Sequence, residues 1–285
     1  MKYEVYENRI EVFDKAEFSP KHILECGQVF RFWKNEDSWV VVSGERQAKI
    51  VECADRYVIY CADAEYFVKY FDLGTDYSKI KAKIRKYKKL VPAVESAEGL
   101  RILKQPVFET IVSFIISANN NIKRIKLILN RLAESVGTLK EGYYAFPTFE
   151  QMKECDEGFF KSIGAGYRAA YLVKFLAQYE DFAKTDFDAL STEELQKLLL
   201  ELSGVGPKVA NCILLFAFSR TDSFPVDTWM EKAYYQFFAD EKCEGVDEKK
   251  KLGRKQISEN LISKFGDLSG YVQQYLFYFK TIERG

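Results

Sequence analysis

Lys208 stands just behind a glycine hairpin, and Asp227 follows it 19 residues on. In the run Leu202-Ser203-Gly204-Val205-Gly206-Pro207-Lys208, Val205 lies between two glycines, residues that take a positive φ without steric cost. Such a turn leaves backbone N–H groups open at its tip, and with the start of a helix they seat a phosphate oxygen. A lysine at the mouth of that helix reaches past the seat, toward whatever the phosphate belongs to. An amine free of its proton attacks an electrophilic carbon and can form a Schiff base, and burial favours the neutral form. A nearby carboxylate stabilises positive charge that builds at the atom under attack. Lys208 and Asp227 are therefore the candidate catalytic pair, and Gly204, Val205 and Gly206 the candidate phosphate hairpin. The plainer alternatives are a phosphate-binding lysine and, for Asp227, a helix N-cap, which its place after Pro225-Val226 suits. The two roles of Asp227 are compatible.

These residues need elements to hold them. Apolar spacing predicts a helix over Thr192–Leu202 that stops at Gly204, with Ser191 and Glu194 as a capping box. Pro207 fits the first turn of a second helix, Lys208–Ser219, and Phe224-Pro225-Val226-Asp227 leads into a third, Thr228–Phe238. The helix, hairpin and helix thus occupy about 192–219. Elsewhere the helical period gives Pro106–Ile116, almost wholly apolar, then Ile122–Val136, Thr148–Met152, Arg168–Tyr179, Lys255–Phe265 and Tyr271–Phe279. Upstream, short aromatic and β-branched runs at Gln28–Trp33, Trp39–Val42, Ala48–Val51 and Tyr57–Tyr60 alternate with turn residues and predict an antiparallel meander. Helices over Ala64–Phe71 and Tyr77–Tyr87 follow it. The fold class is α+β: an N-terminal antiparallel β-sheet domain with flanking helices over 1–100, then a larger all-helical domain over 101–285.

The hairpin run followed by Pro225-Val226-Asp227 resembles the helix-hairpin-helix/Gly-Pro-Asp signature of base-excision DNA glycosylases. The lysine resembles the bifunctional branch, which excises a base and then nicks the strand by β-elimination. Over nearly its full length the chain is similar to the 8-oxoguanine DNA glycosylases. The resemblance implies an enzyme that flips the lesion out of duplex DNA, with Lys208 as nucleophile at C1′ and Asp227 stabilising the charged sugar. It implies a base pocket in which the Gly27 carbonyl accepts the N7–H that 8-oxoguanine has and guanine lacks. Gln273 reads the Watson–Crick edge there, Phe277 and Cys212 cover the two ring faces, and Phe216 forms a wall where relatives carry methionine. Asn119 fills the gap left by the flipped base, Arg124 and Arg168 contact the orphaned cytosine, and Tyr167 wedges into the stack. Trp229 takes the place of a phosphate-binding histidine. No cofactor is implied, although the hairpin carbonyls could hold a structural monovalent or calcium ion. Two other readings stay open: a glycosylase for alkylated purines, against which Lys208 speaks, and a helix-hairpin-helix module that only binds DNA.

Composition sets the bounds. At 285 residues with 47% apolar and 15% aromatic content, the chain buries a large core. No apolar run is long enough to cross a bilayer, and Met1-Lys2-Tyr3-Glu4-Val5 lacks the apolar core of a signal peptide, so a cytosolic, nucleoid or nuclear location is expected. The six cysteines, at 26, 53, 61, 155, 212 and 243, have no metal-ligand spacing, His22 is the sole histidine, and a metal site is not expected. The four-cysteine loop of iron–sulfur relatives is absent. Net charge is zero, with 42 basic and 42 acidic residues, so binding of duplex DNA must rest on a local face and on backbone N–H groups. The dense run Lys79, Lys81, Lys83, Arg85, Lys86, Lys88, Lys89 reads as a solvated helix face. The protein is expected to be a monomer.

Overall fold

The computed structural model describes residues 1–238 and 251–282; Cys243 lies outside them. Strands β1 (Tyr3–Tyr6) and β2 (Arg9–Val12) make a hairpin, and α1 (Pro20–Glu25) follows. Strands β3 (Phe32–Lys34), β4 (Ser38–Ser43), β5 (Arg46–Glu52) and β6 (Tyr57–Cys61) complete a six-stranded antiparallel sheet in the order β1-β2-β6-β5-β4-β3. Period-two alternation puts Ile10, Val12, Val41, Ala48, Ile50 and Ile59 into one core with Phe18, Phe67 and Phe71.

The chain then turns helical: α2 (Ala64–Tyr70), α3 (Tyr77–Ile84), α4 (Val91–Ser96), α5 (Val107–Ser117) and α6 (Ile122–Val136). A two-residue ribbon, β7 (Leu139–Lys140) with β8 (Tyr143–Tyr144), precedes α7 (Phe149–Met152), α8 (Glu157–Ser162) and α9 (Arg168–Phe182). Helices α10 (Thr192–Glu201), α11 (Pro207–Phe216), α12 (Thr228–Phe238), α13 (Arg254–Phe265) and α14 (Ser269–Ile282) finish the described chain. The α+β expectation holds. One helical core joins α5, α6, α9, α10 and α11 around Ile111, Leu129, Leu172, Leu199 and Leu214. Another joins α3 and α4 to the C-terminal helices through Ile84, Val94, Met230, Leu261 and Leu276. Lys208 rides on a helix of the first, and Phe224 and Val226, which lead to Asp227, belong to the second.

Three local expectations need correction. The chain ahead of the expected meander adds a further hairpin, β1 paired with β2. The stretch Gln28–Arg31 is not a strand: the paired ladder begins at Phe32, one bond reaches back from Val42 N to the Arg31 carbonyl at 3.0 Å, and at Gln28 a side chain holds the backbone carbonyl instead. Lys81 is no solvated lysine: it is 3% exposed and ion-paired with Glu17 at 2.7 Å and Glu98 at 2.5 Å, a burial that only close pairing permits.

Candidate active site

The hairpin forms as expected, with one difference. Gly204 has φ +84°, and a Cβ there would lie 2.9 Å from Tyr171 Cβ and 3.1 Å from Ile115 Cγ2, so glycine is demanded twice over. Gly206 is instead extended, at φ −94°, and serves as the N-cap of α11 without a capping side chain. What it contributes is open space in front of the helix N-terminus, where nothing would touch an added Cβ. Val205 is buried and anchors the turn through its N–H to the Leu202 carbonyl at 3.1 Å. Gln178 on α9 clamps the turn from behind, accepting from Ser203 N at 2.8 Å and donating to the Glu201 carbonyl at 3.0 Å.

Lys208 follows directly, in the first turn of α11, and is half-buried. Its Nζ lies 5.1 Å from the centroid of the Phe114 ring, and that ring stacks on Phe216 at 5.5 Å and 20°. Cys212, one turn along α11, is 3% exposed. Burial pushes its thiol pKa up; Lys208 opposes this through its charge and a hydrogen bond, and the Asp227 charge adds to the rise. Lys208, Cys212 and Asp227 thus share one electrostatic neighbourhood, and the thiol stays neutral. Asp227 caps α12: its Oδ1 accepts from Trp229 N and Met230 N, both at 2.9 Å. Both cap bonds fall on Oδ1, which leaves Oδ2 for a substrate.

Asn211, which sequence reasoning passed over, ties these two segments together. Its Nδ2 donates to the Pro207 carbonyl at 2.9 Å, and its Oδ1 accepts from Phe224 N at 3.3 Å. Ser258 adds a bond to the Phe224 carbonyl at 2.7 Å. A buried amide three residues after the lysine, inside an apolar run, was the available signal. Phe114 gave none, since an aromatic among the buried residues of α5 reads as core.

Of the base-pocket candidates, Cys212 and Phe216 lie on α11 with Lys208, and Gly27 meets Phe277 of α14. Gly27 has φ +76°, and a Cβ on it would stand 2.9 Å from Phe277 Cε1. The Phe277 ring therefore rests on Gly27. Gln273, one turn earlier on α14, is 4% exposed, and its Oε1 accepts from Gln274 Nε2 at 2.7 Å. His22 Nδ1 lies 2.6 Å from the Glu98 carbonyl, and its ring packs on Tyr278 at 4.8 Å, joining α1 to α14. Two cavities of about 360 and 420 Å³ lie elsewhere, against the strands.

Asn119, Arg124, Tyr167 and Arg168 form a second cluster, tied to the hairpin through α9 rather than to Lys208. Asn119 is exposed at φ +50°, just past α5, and Asn121 caps α6 by accepting from Arg124 N at 2.9 Å. Arg168 is 3% exposed, and its Nε donates to the Ala118 carbonyl and its Nη2 to the Asn119 carbonyl, both at 2.7 Å. Burial lowers its pKa, and the Arg124 charge acts the same way. Tyr167 is 55% exposed, and its OH donates to the same Ala118 carbonyl at 3.2 Å. Arg124 is exposed and makes one long bond, 3.3 Å to the Gly164 carbonyl. Trp229 is exposed beside Lys232, whose Nζ sits 4.4 Å from its ring. Among the described residues no group of three His, Cys, Asp or Glu could hold a metal ion, and no helix is long and apolar enough to cross a membrane.

Comparisons with known proteins agree on one family. Residues 11–111 match the N-terminal domain of 8-oxoguanine DNA glycosylases. Residues 112–259 match the HhH-GPD superfamily of base excision DNA repair proteins. An 8-oxoguanine glycosylase/lyase of Clostridium acetobutylicum, solved with double-stranded DNA containing cytosine opposite 8-oxoG, is 34% identical, with TM-score 0.89 over 100% of this chain and 99% of that one. The N-glycosylase/DNA lyase of Saccharomyces cerevisiae is 28% identical, over 93% of this chain and 84% of its own. A 3-methyladenine DNA glycosylase from Archaeoglobus fulgidus shares the fold alone: 16% identity, TM-score 0.74, over 96% of this chain and 99% of that one.

Proposed function

We propose, for a chain that belongs to the HhH-GPD superfamily and to its 8-oxoguanine DNA glycosylase branch, that it excises 8-oxoguanine from double-stranded DNA and then cuts the strand. The observation that carries this reading is the Asn211 bridge, which ties the Pro207 carbonyl beside Lys208 to Phe224 N, three residues before Asp227. The hairpin N–H groups and the open front of α11 seat a backbone phosphate. The lesion leaves the stack, and Phe277 swings off Gly27 to let the purine lie between its ring and Cys212. The Gly27 carbonyl accepts the N7–H of 8-oxoguanine; guanine has a lone pair there and is repelled.

The chemistry follows from the pair. The Lys208 amine bonds to C1′ as the C1′–N9 bond breaks, and the base departs with the electron pair and takes up a proton. Asp227 Oδ2 stabilises the positive charge on the sugar. The amine–sugar adduct opens to a Schiff base. Loss of the C2′ proton then breaks the C3′–O bond and releases the 3′ phosphate. On the opposite strand, Arg124 is the freer arginine, while Arg168 would first have to release the Ala118 and Asn119 carbonyls. Arg124 is thus the better placed donor for an orphaned cytosine.

Incubating the protein with duplexes carrying 8-oxoguanine opposite each of the four bases, or 3-methyladenine, tests this reading. Strand cutting at 8-oxoguanine, fastest opposite cytosine, is the expected result. Release of 3-methyladenine without strand cutting, or tight binding with no release, would overturn it.

A further inference from the structure

Gln28, next to the glycine that meets the purine, is fully buried and uses its whole amide. Its Nε2 donates to the carbonyls of Ile23 and Arg101, each at 2.8 Å, and its Oε1 accepts from Leu103 N at 2.9 Å. Its backbone carbonyl accepts from Gln105 Nε2 at 2.7 Å, and the backbone N–H of Gln105 donates to the Phe216 carbonyl at 2.8 Å. On the other flank the Cys26 thiol donates to the Ile23 carbonyl at 3.2 Å. The first sheet bond, from Val42 N to the Arg31 carbonyl at 3.0 Å, comes three residues later, so at Gln28 these side chains are what hold the backbone. Gly27 sits between the fixed points at φ +76°, and no hydrogen bond among the described residues ends on its carbonyl.

We infer that Gln28 and Gln105 are positioning residues that hold the Gly27 carbonyl in register with helix α11, and so set how well the site tells 8-oxoguanine from guanine. The relay ends on Phe216, whose ring stacks on Phe114, the ring beside Lys208. It therefore links the group that reads N7 to the element that carries the nucleophile. The hydrogen at N7 is the difference this carbonyl reads, attraction where it is present and repulsion from the lone pair where it is not, and that contrast is large only at close range. A loosened strand loses that contrast first. A fully satisfied buried amide is stiff, because freeing any partner leaves a buried polar group without a bond.

The inference rests on the functional reading above, and the experiment separates the two. Gln105→Met removes Nε2 while keeping the backbone bond to Phe216; Gln28→Met removes the whole amide. Each variant is assayed on duplex with 8-oxoguanine, on duplex with guanine, and on duplex with a preformed abasic site, whose cleavage needs Lys208 but no base. For Gln105→Met, excision of 8-oxoguanine falls on the order of ten- to a hundredfold, the size a small misplacement produces, while abasic-site cleavage stays within about twofold. The preference over guanine narrows in step. Parallel loss on 8-oxoguanine and abasic substrates would make the pair merely structural and overturn the inference. Unchanged excision and preference in both variants would overturn it as well. Wild-type excision of 8-oxoguanine, measured alongside, separates failure of the functional reading from failure of this one.

Discussion

Replacing Gly27 by alanine should abolish base excision while leaving the folded protein and its lyase chemistry nearly intact. Two costs act on the fold. Alanine at φ +76° pays the left-handed penalty, about 1–2 kcal/mol. The new methyl would also stand 2.9 Å from Phe277 Cε1 and 3.3 Å from Cζ. That contact is cheap to relieve, because it meets the far end of a half-buried ring that must move anyway when a base arrives. Stability should therefore fall by about 1–2 kcal/mol, a Tm drop of roughly 2–6 °C for a chain of this size. The effect on excision is larger. The methyl occupies the space a purine needs in front of the carbonyl, so single-turnover release of 8-oxoguanine should slow by about a hundredfold or more. Cleavage of a preformed abasic site should stay within about threefold of wild type, since no base enters; a loss of that size is what small shifts around Lys208 produce. Excision of 8-oxoguanine at the wild-type rate by Gly27→Ala would refute the placement of the base. A collapse of both activities with a Tm drop far beyond this range would show that the glycine serves folding alone.

Other perturbations separate structural from chemical roles. Asp227→Asn keeps an oxygen for the Trp229 and Met230 N–H groups, so stability should change by less than about 1 kcal/mol. Excision should slow by about 10²–10³ with duplex binding almost retained; a large loss of binding instead would make Asp227 a cap and nothing more. Arg168→Met frees the Ala118 and Asn119 carbonyls and should cost about 2–3 kcal/mol. An unmoved melting temperature would show that the guanidinium does not hold the Asn119 turn. Glu109 carries a built-in pH dependence: burial pushes its carboxyl up to about 7 from the ordinary 4.5, against the Gly44 N–H and the Arg31 charge. The folded state then holds the proton more tightly than the unfolded chain, so stability falls as pH rises from 4.5 to 7, by up to roughly 3 kcal/mol. Glu109→Gln should flatten that slope in denaturation curves; an unchanged slope would place its origin elsewhere.

What the sequence reveals and what it hides follow from how each residue is held. The hairpin and its lysine are legible because Gly204 and Pro207 act through local backbone rules, and Asp227 because a cap is a local device; the extended Gly206 departs from the positive φ its neighbour takes. Helix α6 runs over Ile122–Val136 as its amphipathic period predicts. The β1–β2 hairpin escapes because its strands are four residues each, and β1 leaves Glu4, Val5 and Tyr6 exposed. Residues 28–31 look like a strand by their alternation, yet Gln28 and Arg31 are both buried, and tertiary bonds replace the ladder. The Gln28–Gln105 relay and the Phe114 ring under Lys208 depend on distant partners, which no local pattern encodes, and of the Asn211 bridge the sequence shows only a lone amide in an apolar run. Lys81 misleads for the same reason: its acids sit at Glu17 and Glu98, far along the chain.

The most direct test is borohydride reduction during turnover of a duplex with 8-oxoguanine opposite cytosine, followed by mass mapping of the protein–DNA adduct. The expected result is a single covalent adduct on Lys208 that disappears in Lys208→Gln while that variant still binds the duplex. An adduct on any other residue, or one that survives Lys208→Gln, would contradict the assignment of the nucleophile and with it the mechanism.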